Sequence, residues 1–135
     1  MIIDASVASH WFADTEFSNA ADPFRSSPNL IAPGFLLVET ANVLYKQSRA
    51  GRIAALLCSE SIEVLRESMA ELVPDAELLP RAIELAIANN HPIYDCLYLA
   101  LAIERRVQLV TADRRLAGRA EALGIAVDLV TAASP

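Results

Sequence analysis

A chain of 135 residues that is 54% hydrophobic and 21% charged, with a mean hydropathy of +0.35, is expected to bury one core as a single domain over residues 1–135 and has no room for a second. Its composition, with seven prolines and four glycines, excludes disordered, collagen-like and low-complexity classes. The longest apolar run, Cys96 to Ile103, falls far short of the roughly 20 residues that cross a bilayer, and a net charge of −6 argues against gripping nucleic acid by bulk positive charge.

The chain opens on a short β-like run, Ile2-Ile3, followed by Asp4. Nothing in it resembles a cationic leader, so the expected location is cytoplasmic, with no membrane association. From Phe17 to Pro28 a helical pattern is interrupted by Pro23, Pro28 and a Ser-Ser pair. A second strand, Leu30 to Ala32, leads through Pro33-Gly34 into a dense helical pattern from Phe35 to a glycine stop at Gly51. A further helix spans Ile53 to about Glu67, and a third strand Glu71 to Val73.

Asp75 is placed to cap the next helix, which ends near Asn89-Asn90 and whose Pro80 must open a new first turn or impose a kink. His91-Pro92 resets the chain, and Asp95 opens its most apolar helix. Strands at Val107 to Val110 and Ile125 to Leu129 flank a last helix that follows Asp113. Alternating β and α units predict an α/β fold, a parallel sheet covered on both faces. Cys58 and Cys96 lie in apolar, helix-like sequence without partners at metal-ligand spacing, which predicts buried free thiols.

Four acids stand where an unspecialised domain gains little from them. Asp4 ends the first strand and Asp113 follows the fourth, so a parallel sheet delivers both to the crevice outside its carboxyl ends. Glu39 lies four residues after Phe35 and four before Val43, on a helical stripe that otherwise faces the core and where a charge needs a partner. Asp95 is aimed outward from the N-terminus of its helix. Taken singly, Asp4, Asp95 and Asp113 also read as helix caps. Clustered, they would raise one another's pKa unless a divalent cation offset them. Oxygen ligation without histidine selects Mg²⁺ or Mn²⁺ over zinc.

The segments MIIDASV, IAPGFLLVETANVLYKQSRAGRI, HPIYDCLYLALA and LVTADRRLAGRA, in this order, resemble the PIN domain, and more narrowly the VapC-type ribonuclease toxins of bacterial toxin–antitoxin modules. The resemblance extends from Met1 to about Val130. It implies a three-layer α/β/α sandwich around a short parallel sheet, with Asp4, Glu39, Asp95 and Asp113 as the acidic quartet that binds Mg²⁺ or Mn²⁺ for RNA phosphodiester hydrolysis. Ser6 and Thr111 match its supporting polar positions. An antitoxin partner and a homodimer are common in that family, and the apolar excess independently suggests association. Cys96 stands where the family often has alanine, and Pro23 disturbs a helix that relatives continue.

The expected mechanism has one ion activating water for in-line attack and, in a binuclear site, a second about 3.5–4 Å away steadying the leaving 3′-oxygen. Products would carry 5′-phosphate and 3′-hydroxyl ends. The four ligands account for −4 of the net −6, leaving −2 elsewhere, so acidity does not forbid RNA binding. Lys46, Arg49 and Arg52, and Arg114, Arg115 and Arg119, are candidates for phosphate contacts beside the metal, or else solvated faces. Tyr94, Tyr98 and Trp11 are expected in packing rather than base stacking, and His10 and His91 in surface or packing roles.

A phosphoacceptor domain is excluded because no aspartate lies between Asp22 and Asp75 and Lys46 is the sole lysine. An aspartyl-nucleophile phosphatase would need a second aspartate where Ser6 stands. The alternative left open is a non-catalytic PIN-like binding or scaffolding module.

Overall fold

The computed structural model describes residues 1–132. Five parallel strands, β1 (Ile2–Ile3), β2 (Ile31–Pro33), β3 (Glu71–Val73), β4 (Leu109–Thr111) and β5 (Val127–Leu129), form one sheet in the order β3-β2-β1-β4-β5. The helices are α1 (Ala5–Ala8), continued by a 3₁₀ turn (Ser9–Trp11), then α2 (Ser18–Arg25), α3 (Phe35–Arg49), α4 (Ala55–Ser68), α5 (Asp75–Asn89), α6 (Ile93–Arg105) and α7 (Arg114–Ala122). Among the described residues no helix is long and apolar enough to cross a membrane.

Strand side chains alternate between two cores, as the period of two requires. Ile2 and its register partner Leu109 pack with Leu78, Leu99 and Leu116 of α5–α7. Ile3 and its partner Val110 pack with Val7, Ala21, Leu36 and Leu65 of α1–α4. The expected three-layer sandwich is therefore present, with β1 central and buried on both faces.

Element boundaries moved for identifiable reasons. The expected strands at Val107 and Ile125 start two residues later because those residues complete helix ends: Val107 N–H donates to the Ala102 carbonyl (3.3 Å) and Ile125 N–H to that of Ala120 (3.0 Å). Leu30 falls just outside β2, which takes in Pro33 instead. Helix α4 begins at Ala55 rather than Ile53, because Ala54 is extended.

The predicted stop at Gly51 holds. Its φ of +76° lets the Arg52 N–H reach the Gln47 carbonyl (2.9 Å) and its own N–H that of Ser48 (3.0 Å), closing the helix with a Schellman motif. The interrupted segment after Phe17 resolves into α2 with Pro23 inside it, and α5 runs through Pro80 as one helix. Each proline removes one donor, for the carbonyls of Asn19 and Ala76 respectively.

Candidate active site

Strands β1 and β4 lie side by side with Ile3 level with Val110, so the next residues, Asp4 and Thr111, meet at the carboxyl edge of the sheet. Asp4 is buried, 4% exposed. Its two carboxylate oxygens accept hydrogen bonds from Ser6 Oγ (2.6 Å) and Thr111 Oγ1 (2.7 Å). Those hydroxyls in turn accept from Ala112 N–H (2.8 Å) and Asp113 N–H (3.0 Å). Each hydroxyl has one proton, and both are committed to Asp4. While Asp4 is ionised, the 3.1 Å approach of Ser6 Oγ to Thr111 Oγ1 is therefore a contact between two acceptors. Burial lifts the Asp4 carboxyl to about 7, with Glu39 and Asp113 adding to the rise and the two hydroxyl bonds opposing it.

Glu39 sits one turn into α3, half-buried on the flank of the core stripe Leu36, Thr40 and Leu44. Its Oε1 accepts the Tyr98 hydroxyl at 2.8 Å. Burial raises its carboxyl above the ordinary range, the Tyr98 bond pulls it down, and the charges of Asp95 and Asp113 push it up. Tyr98 comes from α6 and is 1% exposed. Burial first, then Glu39 and Asp4, hold its phenol well above its usual value, so it stays a donor.

Asp95 lies in the first turn of its helix as expected, but its capping alternative fails. It is the third residue of α6, behind Pro92 at the cap position, and makes no cap bond. Its Oδ2 is instead ion-paired with Arg119 Nη1 of α7, the two side chains being 21% and 26% exposed. Asp113 realises its capping alternative: Oδ1 accepts from the N–H groups of Arg115 (2.9 Å) and Leu116 (3.3 Å) at the start of α7, so neither bond engages its second oxygen. Asp4, by contrast, occupies the N-cap position of α1 without a side-chain cap bond.

The acids are near enough for their charges to be felt at two of them: Asp4 is raised by Glu39 and Asp113, and Glu39 by Asp95 and Asp113. With Asp95 turned to Arg119 and Asp113 to its helix, no group of three or more His, Cys, Asp or Glu side chains among the described residues is arranged to hold a metal ion. The donor chemistry itself suits a hard cation, being carboxylate oxygen with neither imidazole nor thiolate.

One neighbour was misread from the sequence and another has a second role. Asp75 does not cap its own helix; as the first residue of α5, its Oδ1 accepts the Phe35 N–H of α3 (3.0 Å), and its charge reaches Tyr98. Tyr98 packs as expected and also holds Glu39, a role whose only trace in sequence is its position one turn after Asp95 on the same helix face.

The basic candidates divide. Arg114 and Arg115 are exposed in the first turn of α7, directly after Asp113. Lys46, Arg49 and Arg52 are exposed, with Lys46 about 10 Å along α3 from Glu39 at 1.5 Å per residue. Arg49 is occupied by Tyr45, donating to its hydroxyl at 3.2 Å, and Arg52 donates to Gln47 Oε1 at 3.5 Å.

Trp11 is buried and donates to the Ala21 carbonyl (2.9 Å). Tyr94 departs from the packing expectation: it is 58% exposed and stacks on Phe35, centroids 5.1 Å apart. His10 packs on Phe17 and its Nδ1 shares a hydrogen bond with Thr15 Oγ1 (2.7 Å); His91 is half-buried in the α5–α6 turn. Cys96 is buried as expected, whereas Cys58 is only half-buried, because it lines an open groove of about 250 Å³ between α3 and α4 with Ala41, Tyr45 and Ile62.

The family model described as PIN domain matches residues 1–122. The chain is 32% identical over 126 residues to Ribonuclease VapC3 of Pyrobaculum aerophilum, covering 91% of this chain and 96% of that one. Among solved structures, it superposes on PAE2754 of Pyrobaculum aerophilum with a TM-score of 0.70 at 22% identity, covering 95% of this chain and 82% of that one. It also superposes on Mycobacterium tuberculosis VapC20, described as a sarcin–ricin loop cleaving toxin, with a TM-score of 0.68 at 14% identity, covering 87% and 92%. At those identities the superpositions speak to the fold.

Proposed function

The chain belongs to the PIN-domain family, and we propose on that premise that it is a metal-dependent endoribonuclease, the toxin of a type II toxin–antitoxin pair, hydrolysing RNA at the rim of Asp4, Glu39, Asp95 and Asp113. The observation that carries the reading is uncompensated charge: Asp4 and Glu39 are both pushed up by burial and by their acidic neighbours, and a cation is what relieves such a field. The ribonuclease name of the relative with 32% identity supports the same reaction class.

Bound Mg²⁺ or Mn²⁺ would supply Lewis acidity and lower the pKa of the attacking water. The chain's own groups do the rest. Ser6 and Thr111 hold both oxygens of Asp4 in place, and Tyr98 holds Glu39. Asp113 is steered by its helix cap while its other oxygen remains available. Arg114 and Arg115, exposed beside it, provide cationic donors for the phosphates flanking the scissile bond.

Cleavage of RNA by the purified chain with Mn²⁺ or Mg²⁺, lost with EDTA and in Glu39→Gln, leaving 5′-phosphate ends, is the expected result. Ends bearing 2′,3′-cyclic phosphate would overturn the hydrolytic mechanism. A second reading, a PIN-like binding module without catalysis, is favoured by the fact that Asp95 and Asp113 already have protein partners. Mn²⁺ binding by calorimetry with no cleavage under any divalent ion would establish it.

The proposed partners, an antitoxin chain and a second copy in a homodimer, are supported by apolar side chains left open to solvent on α3–α5, including Val38 (65% exposed), Leu56 (91%) and Ile87 (78%). A monomer at high micromolar concentration would count against the homodimer.

A further inference from the structure

Asp95 already has a cation. Its Oδ2 is paired with Arg119 Nη1, and this is the one ion pair at the acidic rim among the described residues; the others, Arg66–Glu63 and Arg105–Glu71, are exposed and involve none of the four acids. We infer that Arg119 is an internal competitor for the divalent ion: it must release Asp95 before Asp95 can hold metal, and its freed guanidinium then takes an RNA phosphate oxygen. The inference rests on reading the rim as a metal-dependent ribonuclease site.

Arginine stays protonated at any physiological pH, so Arg119 cannot leave Asp95 by losing a proton. It can leave only by moving. The geometry permits that movement, since both side chains are only partly buried, 26% and 21% exposed, and Arg119 is anchored on α7 while Asp95 belongs to α6. Arg119 comes six residues after Asp113, whose own cap fixes the start of that helix.

Charge accounting gives the exchange its direction. With all four carboxylates ionised, as metal ligation requires, they carry −4, which Arg119 reduces to −3. A divalent ion in its place gives −2 and leaves one guanidinium seeking an anion. A phosphodiester is the anion that the proposed reaction brings to this rim, and the planar fork of donors on arginine matches two of its oxygens. Metal loading and phosphate binding are thereby coupled through one side chain, and the metal-free protein carries a penalty against loading.

The test compares wild type, Arg119→Gln and Arg119→Lys, stripped of metal, by Mn²⁺ titration calorimetry, with circular dichroism melts to establish folding. Arg119→Gln is expected to bind Mn²⁺ about ten-fold more tightly and, at saturating Mn²⁺, to cleave RNA with kcat/KM about ten-fold lower. Arg119→Lys, which keeps the charge without the fork, falls between in both. In an Asp95→Asn background the Arg119→Gln gain in affinity disappears.

Opposite signs in metal affinity and cleavage are what a merely structural arginine would not produce. Equal or weaker Mn²⁺ binding by a folded Arg119→Gln, with wild type binding normally, overturns this inference alone. If neither wild type nor Arg119→Gln binds Mn²⁺, metal dependence fails and the inference falls with it. Should Arg119→Gln not fold, Arg119→Lys carries the same comparison.

Discussion

Replacing Asp4 by asparagine should stabilise the metal-free protein, by an amount that grows as pH rises from about 4 to about 7 and then levels off. The carboxyl of Asp4 is raised from 3.8 to about 7, so between those values the folded chain holds a proton that the unfolded chain has lost. Stability therefore falls as pH rises through that window, and the loss is complete above it. At about 1.4 kcal/mol per unit, the ionised Asp4 costs up to about 4 kcal/mol at pH 8.

Asparagine avoids that cost but must repair the network, because its amide donates where a carboxylate oxygen accepted. One hydroxyl has to turn, and the 3.1 Å spacing of Ser6 Oγ and Thr111 Oγ1 gives its freed proton an acceptor, so the repair costs about 1 kcal/mol. A net gain of roughly 2–3 kcal/mol corresponds to a Tm about 6–10 °C higher for a domain of this size. Thermal melts of both proteins in EDTA at pH 4, 6 and 8 measure it. Expected is a large gain at pH 8 that shrinks to nothing at pH 4, and, on adding Mn²⁺, a rise in Tm for wild type that the variant lacks. An equal difference at every pH, or a variant less stable at pH 8, refutes the reasoning.

Asp113→Asn keeps an oxygen able to cap α7 and should melt near wild type, whereas Asp113→Ala loses both cap bonds and about 1 kcal/mol; both should abolish cleavage, and parallel melting and activity assays separate the effects. Tyr98→Phe removes the hydrogen bond to Glu39, with a stability loss of about 1–2 kcal/mol by denaturant titration. Because that bond lowers the Glu39 carboxyl, the acid limb of the pH–rate profile should move to higher pH. Arg106 ends α6 in the left-handed region at φ 54°, so Arg106→Gly should raise stability by about 1 kcal/mol, read as a higher urea midpoint at constant slope. With an aromatic disulfide reagent, half-buried Cys58 should react in the native protein and Cys96, fully buried, only on unfolding.

The order of strands and helices was legible because hydrophobic period and punctuation agree along this chain: Gly51 stops α3 and Asp113 starts α7, as their residue types dictate. The rim was legible in the same way, since an acid directly after a buried strand can only emerge at the carboxyl edge. What escaped the sequence is every partnership made across elements. Asp75 caps α3 rather than its own helix, Arg119 turns to Asp95 across 24 residues, and the Tyr98 hydroxyl meets Glu39 across 59. Those bonds depend on how helices from different parts of the chain lie against one another, and local pattern carries no information about that. Cys58 was misjudged for the opposite reason: its helix reads as apolar, yet α4 leaves much of that side uncovered, with Leu56 91% exposed.

The shortest strand has the longest wait. β1 emerges first during synthesis, but its neighbour β4 begins at Leu109, and the hydroxyl that fixes Asp4 arrives with Thr111. A ribosome adding about 5–20 residues per second must travel the 107 residues from Asp4 to Thr111, and then clear its exit tunnel, before Asp4 can be seated. A nascent chain stalled short of Thr111 carries its first acid on a central strand that still lacks one of its two neighbours, so the seating of Asp4 belongs to the late steps in the folding of this domain.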